Sequence, residues 1–184
     1  MKNLTKSIKK SGIVKGVAFV RLNQVTGTEL LATYPSGALP PNVCEILRVK
    51  VWLSYGSTLL SKLPYISFLD MQEHDIAGYV FFNESKRWGI FAIASLFSRE
   101  FIPLILKLEK KVKSLIFRSI DSIEMCEDVD SVLRKLYTEL CRFMRNSDTI
   151  VALIGEIASE LQKYVEILRS HEKKTPPIMF KDDA

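Results

Sequence analysis

The chain is poor in the residues that most active sites are built from. It has 2 histidines, His74 and His171, far apart in sequence and without HExxH or similar spacing. A histidine-ligated metal site therefore has little to draw on. The 3 cysteines, Cys44, Cys126 and Cys141, are an odd number without a CxxC pair. That argues against a disulfide framework or zinc knuckle, and for reduced thiols packed as small hydrophobes. No GxxxxGK[ST] or GxGxxG stretch occurs, so the usual phosphate cradles are missing. No apolar run approaches the roughly 20 residues that span a bilayer. The start MKNLTKSIKKSG has no apolar stretch of a secretory signal, position 2 lacks the glycine of myristoylation, and KDDA is no prenylation box. Any membrane contact is expected to be peripheral, and the location cytoplasmic.

What the chain has in quantity is core material. Hydrophobic residues make up 47% and charged residues 26% of 184, a composition that can bury a single-domain core at this length. The net charge of +5 is a mild excess, so its placement matters more than its size.

Residues 1–12 read as a basic tail carrying Lys2, Lys6, Lys9 and Lys10. Ile13 to Leu22 (IVKGVAFVRL) and Thr28 to Tyr34 (TELLATY) are rich in β-branched and aromatic residues and predict a hairpin that turns at Gly27. Pro40-Pro41 sets up a helix whose apolar stripe is Val43, Ile46, Leu47, Val51 and Leu53, with Arg48 and Lys50 pointing away and Gly56 as a stop. Leu63 to Met71, Ile76 to Phe82 and Arg87 to Leu96 follow as three strands joined by short polar turns, a meander. Ser98 is the expected N-cap of a long helix with the stripe Phe101, Leu104, Ile105, Leu108, Val112, Leu115 and Ile116. An acidic connector from Ile120 to Asp130 leads to a further helix through Leu133, Leu136, Leu140 and Phe143, ending near Arg145. A last helix over residues 146–171 carries Ile150, Ile154, Ile157, Leu161, Tyr164 and Leu168 in alternating four- and three-residue steps, the spacing of a helix seam. Residues 172–184 are a polar tail.

No cluster in this order reads as catalytic. Glu73-His74-Asp75 fits a solvated hairpin turn. The connector acids Glu124, Glu127, Asp128 and Asp130 lack the spacing and glycine of a calcium loop, and capping accounts for them. Cys44 near a helix start lacks a neighbouring base. No metal or cofactor is expected, and the chain is not expected to be an enzyme. The most suggestive surface feature is the lysine row Lys107, Lys110, Lys111 and Lys113 on the long helix, a face suited to an acidic protein or membrane. It lacks interleaved arginines and exposed aromatics, so nucleic acid is not expected.

The element order β-β-α-β-β-β-α-α over residues 13–145 resembles the longin domain, the profilin-like fold of membrane-trafficking proteins. The local likeness lies in the hairpin GVAFVRLNQVTGTELLATYP and in WGIFAIASLF running into the helix at Ser98. The related roadblock fold begins with a helix, for which residues 1–11 lack apolar periodicity. The resemblance implies an α+β, α/β/α-like sandwich around a five-stranded, mostly antiparallel sheet, with the last helix as an extension. It also implies binding in place of catalysis: an adaptor in trafficking or small-GTPase regulation. Its partner would be another longin- or roadblock-type subunit, a small GTPase, or a second copy in a homodimer. A SNARE role is not expected, because the C-terminal helices are short and end in a polar tail. A second reading is a PAS-like small-molecule sensor, with a ligand held among Trp52, Tyr65, Phe68, Tyr79, Phe81, Trp88 and Phe91.

Overall fold

The computed structural model describes residues 12–23, 25–56, 62–125, 128–145 and 147–172. The basic tail, the polar tail, Cys126 and Glu127 lie outside the described residues. The chain divides into two compact units, the boundary falling after Met144.

The first unit is built on a five-stranded sheet in the order β2-β1-β5-β4-β3. Its strands are β1 (Val14–Asn23), β2 (Gly27–Tyr34), β3 (Tyr65–Met71), β4 (Ile76–Ser85) and β5 (Gly89–Ser98), and every neighbouring pair is antiparallel. The first turn closes because the Asn23 Oδ1 accepts from the Val25 N–H at 2.8 Å and the Thr26 N–H at 3.3 Å, while Gly27 takes φ +82°. Such positive φ costs glycine little. The hairpin β1–β2 then joins the meander β3–β4–β5 through β1 against β5, with Val17 opposite Ser95 and Phe19 opposite Ile93. The strand ends move by one to three residues from the sequence reading; β4 runs on through Ser85 and β5 starts only at Gly89.

Alternation along the strands makes two apolar faces. One carries Val20, Leu22, Leu69, Met71, Val80, Phe82, Ala94 and Leu96, and packs on Val43, Leu47 and Val51 of α1 (Pro41–Gly56). The charged residues of α1 do not point away as the spacing suggests. Arg48 Nε donates to the Thr28 carbonyl at 2.9 Å on β2, and Lys50 Nζ donates to the Asp70 carbonyl at 3.3 Å on β3. These long side chains bring cations to carbonyls of the two edge strands, where a charged donor makes a stronger bond than a neutral one. Leu53, in turn, is not in the core stripe: it is 61% exposed.

The opposite face carries Val17, Phe19, Tyr79, Phe81, Phe91, Ile93 and Phe97, and is covered by helices from the C-terminal half. The long helix of the sequence reading is broken in two. A 3-10 turn at Arg99–Phe101 leads into α2 (Ile102–Lys107), and after Leu108 the chain starts again as α3 (Glu109–Met125). Ser98 does not cap the backbone; its hydroxyl lies 3.5 Å from Glu100 Oε1. The expected connector from Ile120 is helical as far as Met125, because Ile120 and Ile123 continue the buried stripe. Next comes α4 (Val129–Arg145), which buries Val132, Leu133, Leu136, Leu140 and Met144, while Phe143 stays half-buried. Aromatic contacts fix which helix lies where. Tyr137 of α4 meets Tyr34 of β2 at 5.4 Å, and Phe117 of α3 meets Phe81 of β4 at 4.7 Å. The result is a three-layered α+β sandwich.

The second unit contains α5 (Ser147–Glu172), a helix whose side chains Leu161, Tyr164, Val165 and Ile167 are exposed.

One glycine holds the sheet centre in register. A Cβ on Gly78 would stand 2.0 Å from the Ser95 carbonyl oxygen, which belongs to the backbone of the adjacent strand and cannot swing aside. Gly78→Ala is therefore expected to destabilise the protein by about 3 kcal/mol, as overpacking at a rigid site does. Gly89→Ala, at φ +64° with nothing within 4 Å of the new atom, should cost only about 1 kcal/mol, the left-handed backbone term. Urea unfolding of the two variants separates these outcomes; equal losses would contradict the register.

Candidate functional site

The groups that could do chemistry are dispersed. His74 sits in a 3-10 turn (Gln72–His74) between β3 and β4, next to Asp75 at φ 55°, so Glu73-His74-Asp75 is a turn as expected. Among the described residues no three His, Cys, Asp or Glu side chains are arranged to hold a metal. Asp70 is held by Arg99 in a two-pronged pair at 2.9 and 3.3 Å that ties β3 to the end of β5. Cys44 and Cys141 are half-buried and not fully buried as expected. The Cys44 thiol lies 3.7 Å from the Leu39 carbonyl, and burial, with the Glu45 carboxylate beside it, pushes the thiol up. It is thus less nucleophilic at neutral pH than a free cysteine.

The concave features are open grooves. One, about 440 Å³, follows the β2 edge from Leu30 to Tyr34, with Cys44 on one side and Asp130 and Arg134 of α4 on the other. A neighbouring groove shares Leu31, Ala32 and Asp130 and ends at Trp88. The aromatics proposed for a sensor do not enclose either. Tyr65 stacks on Phe82 at 4.6 Å on the α1 face, whereas Tyr79, Phe81 and Phe91 lie on the other face, so the set is divided by the sheet itself. That division removes the observation on which a PAS-like cavity rested.

The lysine row is divided as well. Lys111 lies 5.6 Å over the Phe143 ring, on the α4 side of α3. Lys113 lies 5.6 Å over the Tyr79 ring and pairs with Glu109, on the β3 side. Lys110, one turn before Lys113, is exposed, and Lys107 ends α2. Lys111 and Lys113 therefore border two different flanks of α3. Of the seam residues, Leu161 and Tyr164 are exposed at 60% and 67%, and Ile157 is intermediate. The side chains of Ile150, Ile154 and Leu168 lie outside the described residues.

The sequence reading missed the apolar side chains that face outward. On α1, Val49 and Leu53, one turn apart, are 57% and 61% exposed. On the far side of the molecule Phe68 of β3 and Phe117 of α3 are 39% and 51% exposed. Leu53 is placed in the core stripe by its spacing and Phe68 lies within an expected strand, while Val49 and Phe117 fall outside the expected stripes. No helix of the described residues is long and apolar enough to cross a membrane.

Neither a protein-family model nor a curated protein matches the chain. Among solved structures it is similar to the longin domain of Lst4 from K. lactis, at 7% identity and a TM-score of 0.49, covering 75% of this chain and 97% of that one. At that identity no residue roles transfer. The order observed up to Arg145 is β-β-α-β-β-β-α-α-α, the order that the longin resemblance implies with the helix after β5 broken at Leu108.

Tyr79 offers a test of how the second face is packed. Its hydroxyl is buried without a hydrogen-bond partner among the described residues, and burial, with Glu109 nearby, pushes the phenol up to about 12. The folded value is raised above the unfolded one, so this stability is fully present below pH 10 and is lost as pH rises toward about 12. Tyr79→Phe is expected to leave neutral-pH stability unchanged or raise it by about 1 kcal/mol. It should also flatten the alkaline loss in denaturant titrations. A Tyr79→Phe protein that loses stability at neutral pH would show a hydroxyl with a partner.

Proposed function

We propose that this chain is a non-catalytic adaptor of longin type, acting in membrane trafficking or small-GTPase regulation by holding a protein partner. The supporting observation is the inverted use of α1. A solvent-facing helix surface is ordinarily charged, yet here Arg48 and Lys50 are drawn to the two sheet edges and leave Val49 and Leu53 facing outward. Paired apolar side chains on a helix braced at both sides form a rigid contact element, which costs little conformational entropy to bind. The partner in this reading is another longin- or roadblock-type subunit or a small GTPase, met in the cytoplasm with at most peripheral membrane contact.

Val49→Asp combined with Leu53→Asp tests this directly. Both sites are exposed, so stability should stay within about 0.5 kcal/mol of the parent. Recovery of a longin- or roadblock-type subunit or a small GTPase, in affinity purification of the full chain from cells, should fall about tenfold, as for loss of a central apolar contact. Undiminished recovery by a folded double variant would contradict the role of this face.

A further inference from the structure

The second face of the sheet is wider than its cover. Strands are spaced about 4.8 Å apart and packed helices 8–10 Å apart, so one helix covers roughly two strands. On this face α4 lies against β2 through Tyr137 and Tyr34, and α3 lies against β4 through Phe117 and Phe81. Two helices placed in this way cover roughly four strands and leave the margin over β3. The exposures agree with that count: Ile66 is partly exposed, and Phe68 is 39% exposed although its ring meets Tyr79 at 5.4 Å.

The margin is a step with an apolar floor and a mixed wall. Ile66 pairs with Phe81 and Phe68 with Tyr79 across β3 and β4, so both project to this face beside α3. The wall is the flank of α3 that carries Lys110, Lys113 and Phe117 at i, i+3 and i+7. Between residues 107 and 118 the basic side chains are Lys107, Lys110, Lys111, Lys113 and Arg118, against the single acid Glu109. The one charge of β3, Asp70, is neutralised by Arg99.

We propose that this margin receives one amphipathic helix of a partner protein, with its apolar residues on Phe68 and Phe117 and its carboxylates facing Lys110 and Lys113. The floor is apolar and the wall is basic: Lys110 is exposed, and Lys113, which also pairs with Glu109, is half-buried. An acidic lipid surface fits less well, because Lys111 is turned to the opposite flank toward Phe143 and the lysines do not share one plane. A strand added to β3 fits less well too, since the Asp70 carbonyl on that edge strand already accepts from Lys50. The inference rests on the adaptor reading but uses a surface distinct from Val49 and Leu53.

The test is fluorescence anisotropy on the full chain with a labelled designed peptide of roughly 18 residues, about five helical turns. The peptide carries one leucine stripe flanked by glutamates. Its controls are a scrambled peptide of the same composition and a version with lysines for the glutamates. The glutamate-flanked helix should bind. Phe68→Asp and Phe117→Asp, each confirmed folded by circular dichroism, should weaken it about tenfold or more. Lys110→Glu with Lys113→Glu should weaken it and favour the lysine-flanked peptide. Phe68→Ser, a milder change, should act in the same direction as Phe68→Asp. The Val49→Asp, Leu53→Asp double variant should bind the peptide normally, which separates failure of this surface from failure of the α1 face. Several results would overturn the proposal. One is equal binding of the scrambled peptide; another is insensitivity to the margin variants. A third is retention on phosphatidylserine vesicles that is lost in those variants while the peptide fails to bind. The last is a concentration-dependent dimer that Phe117→Asp abolishes.

Discussion

The pairing of β1 with β5 is the contact on which the rest of the structure depends. It joins residues as far apart in sequence as Val17 and Ser95, and it turns a hairpin and a meander into one sheet. A two-stranded hairpin is marginal in water by itself, whereas an inner strand can bury both of its faces. Val17, Ala18, Phe19 and Val20 of β1 are all at 0% exposure, which is possible only because β2 lies on one side and β5 on the other. Once that pair is set, β2 and β3 are the edges. Arg48 and Lys50 of α1 then each reach a carbonyl on one of these edge strands from the same helix.

Two consequences follow for surface chemistry. Using the α1 cations on the sheet edges leaves apolar side chains on the outer side of that helix. Covering the opposite face with α3 and α4 leaves the β3 margin partly open. Rigid apolar anchors with a polar surround carry most of the affinity where proteins bind one another, and the proposed adaptor role draws on these two surfaces. Within the first unit Asp70 is held by Arg99, and Lys113 by Glu109 and the Tyr79 ring.

Much of the fold is legible in the sequence because strands and helices leave different periods. The β-branched and aromatic runs around Phe19, Tyr79 and Ile93 read as strands, and Leu133, Leu136 and Leu140 read as one helical face. The break after Lys107 is not legible, since Leu104, Leu108, Val112 and Leu115 continue one stripe across it. The continuation of α3 to Met125 is hidden for the converse reason: Asp121 and Glu124 beside Ile120 and Ile123 resemble a loop, although the segment is helical and Asp121 is on its solvated side. The requirement for Gly78 depends on a close approach to Ser95 in another strand, which no local pattern reports. The outward apolar residues were the hardest to see. Phe68 sits in the same strand pattern as the core residues around it, whereas Phe117 lies off the apolar stripe of α3; both stay exposed although each ring meets an aromatic of the sheet. Arg48 and Lys50 were misplaced because a helical wheel describes angle and not reach. A long cationic side chain on the flank of a helix can bend back to a carbonyl below it.

Hydroxyl-radical footprinting of the full chain tests the central claim most directly, since side-chain oxidation reports solvent access one aromatic at a time. The account predicts ready oxidation of Phe68 and Phe117, with Phe81 and Phe91, at 1% and 0% exposure, protected in the same sample. Protection of Phe68 and Phe117 equal to that of Phe81 would mean that the margin over β3 is already covered, and would contradict the account.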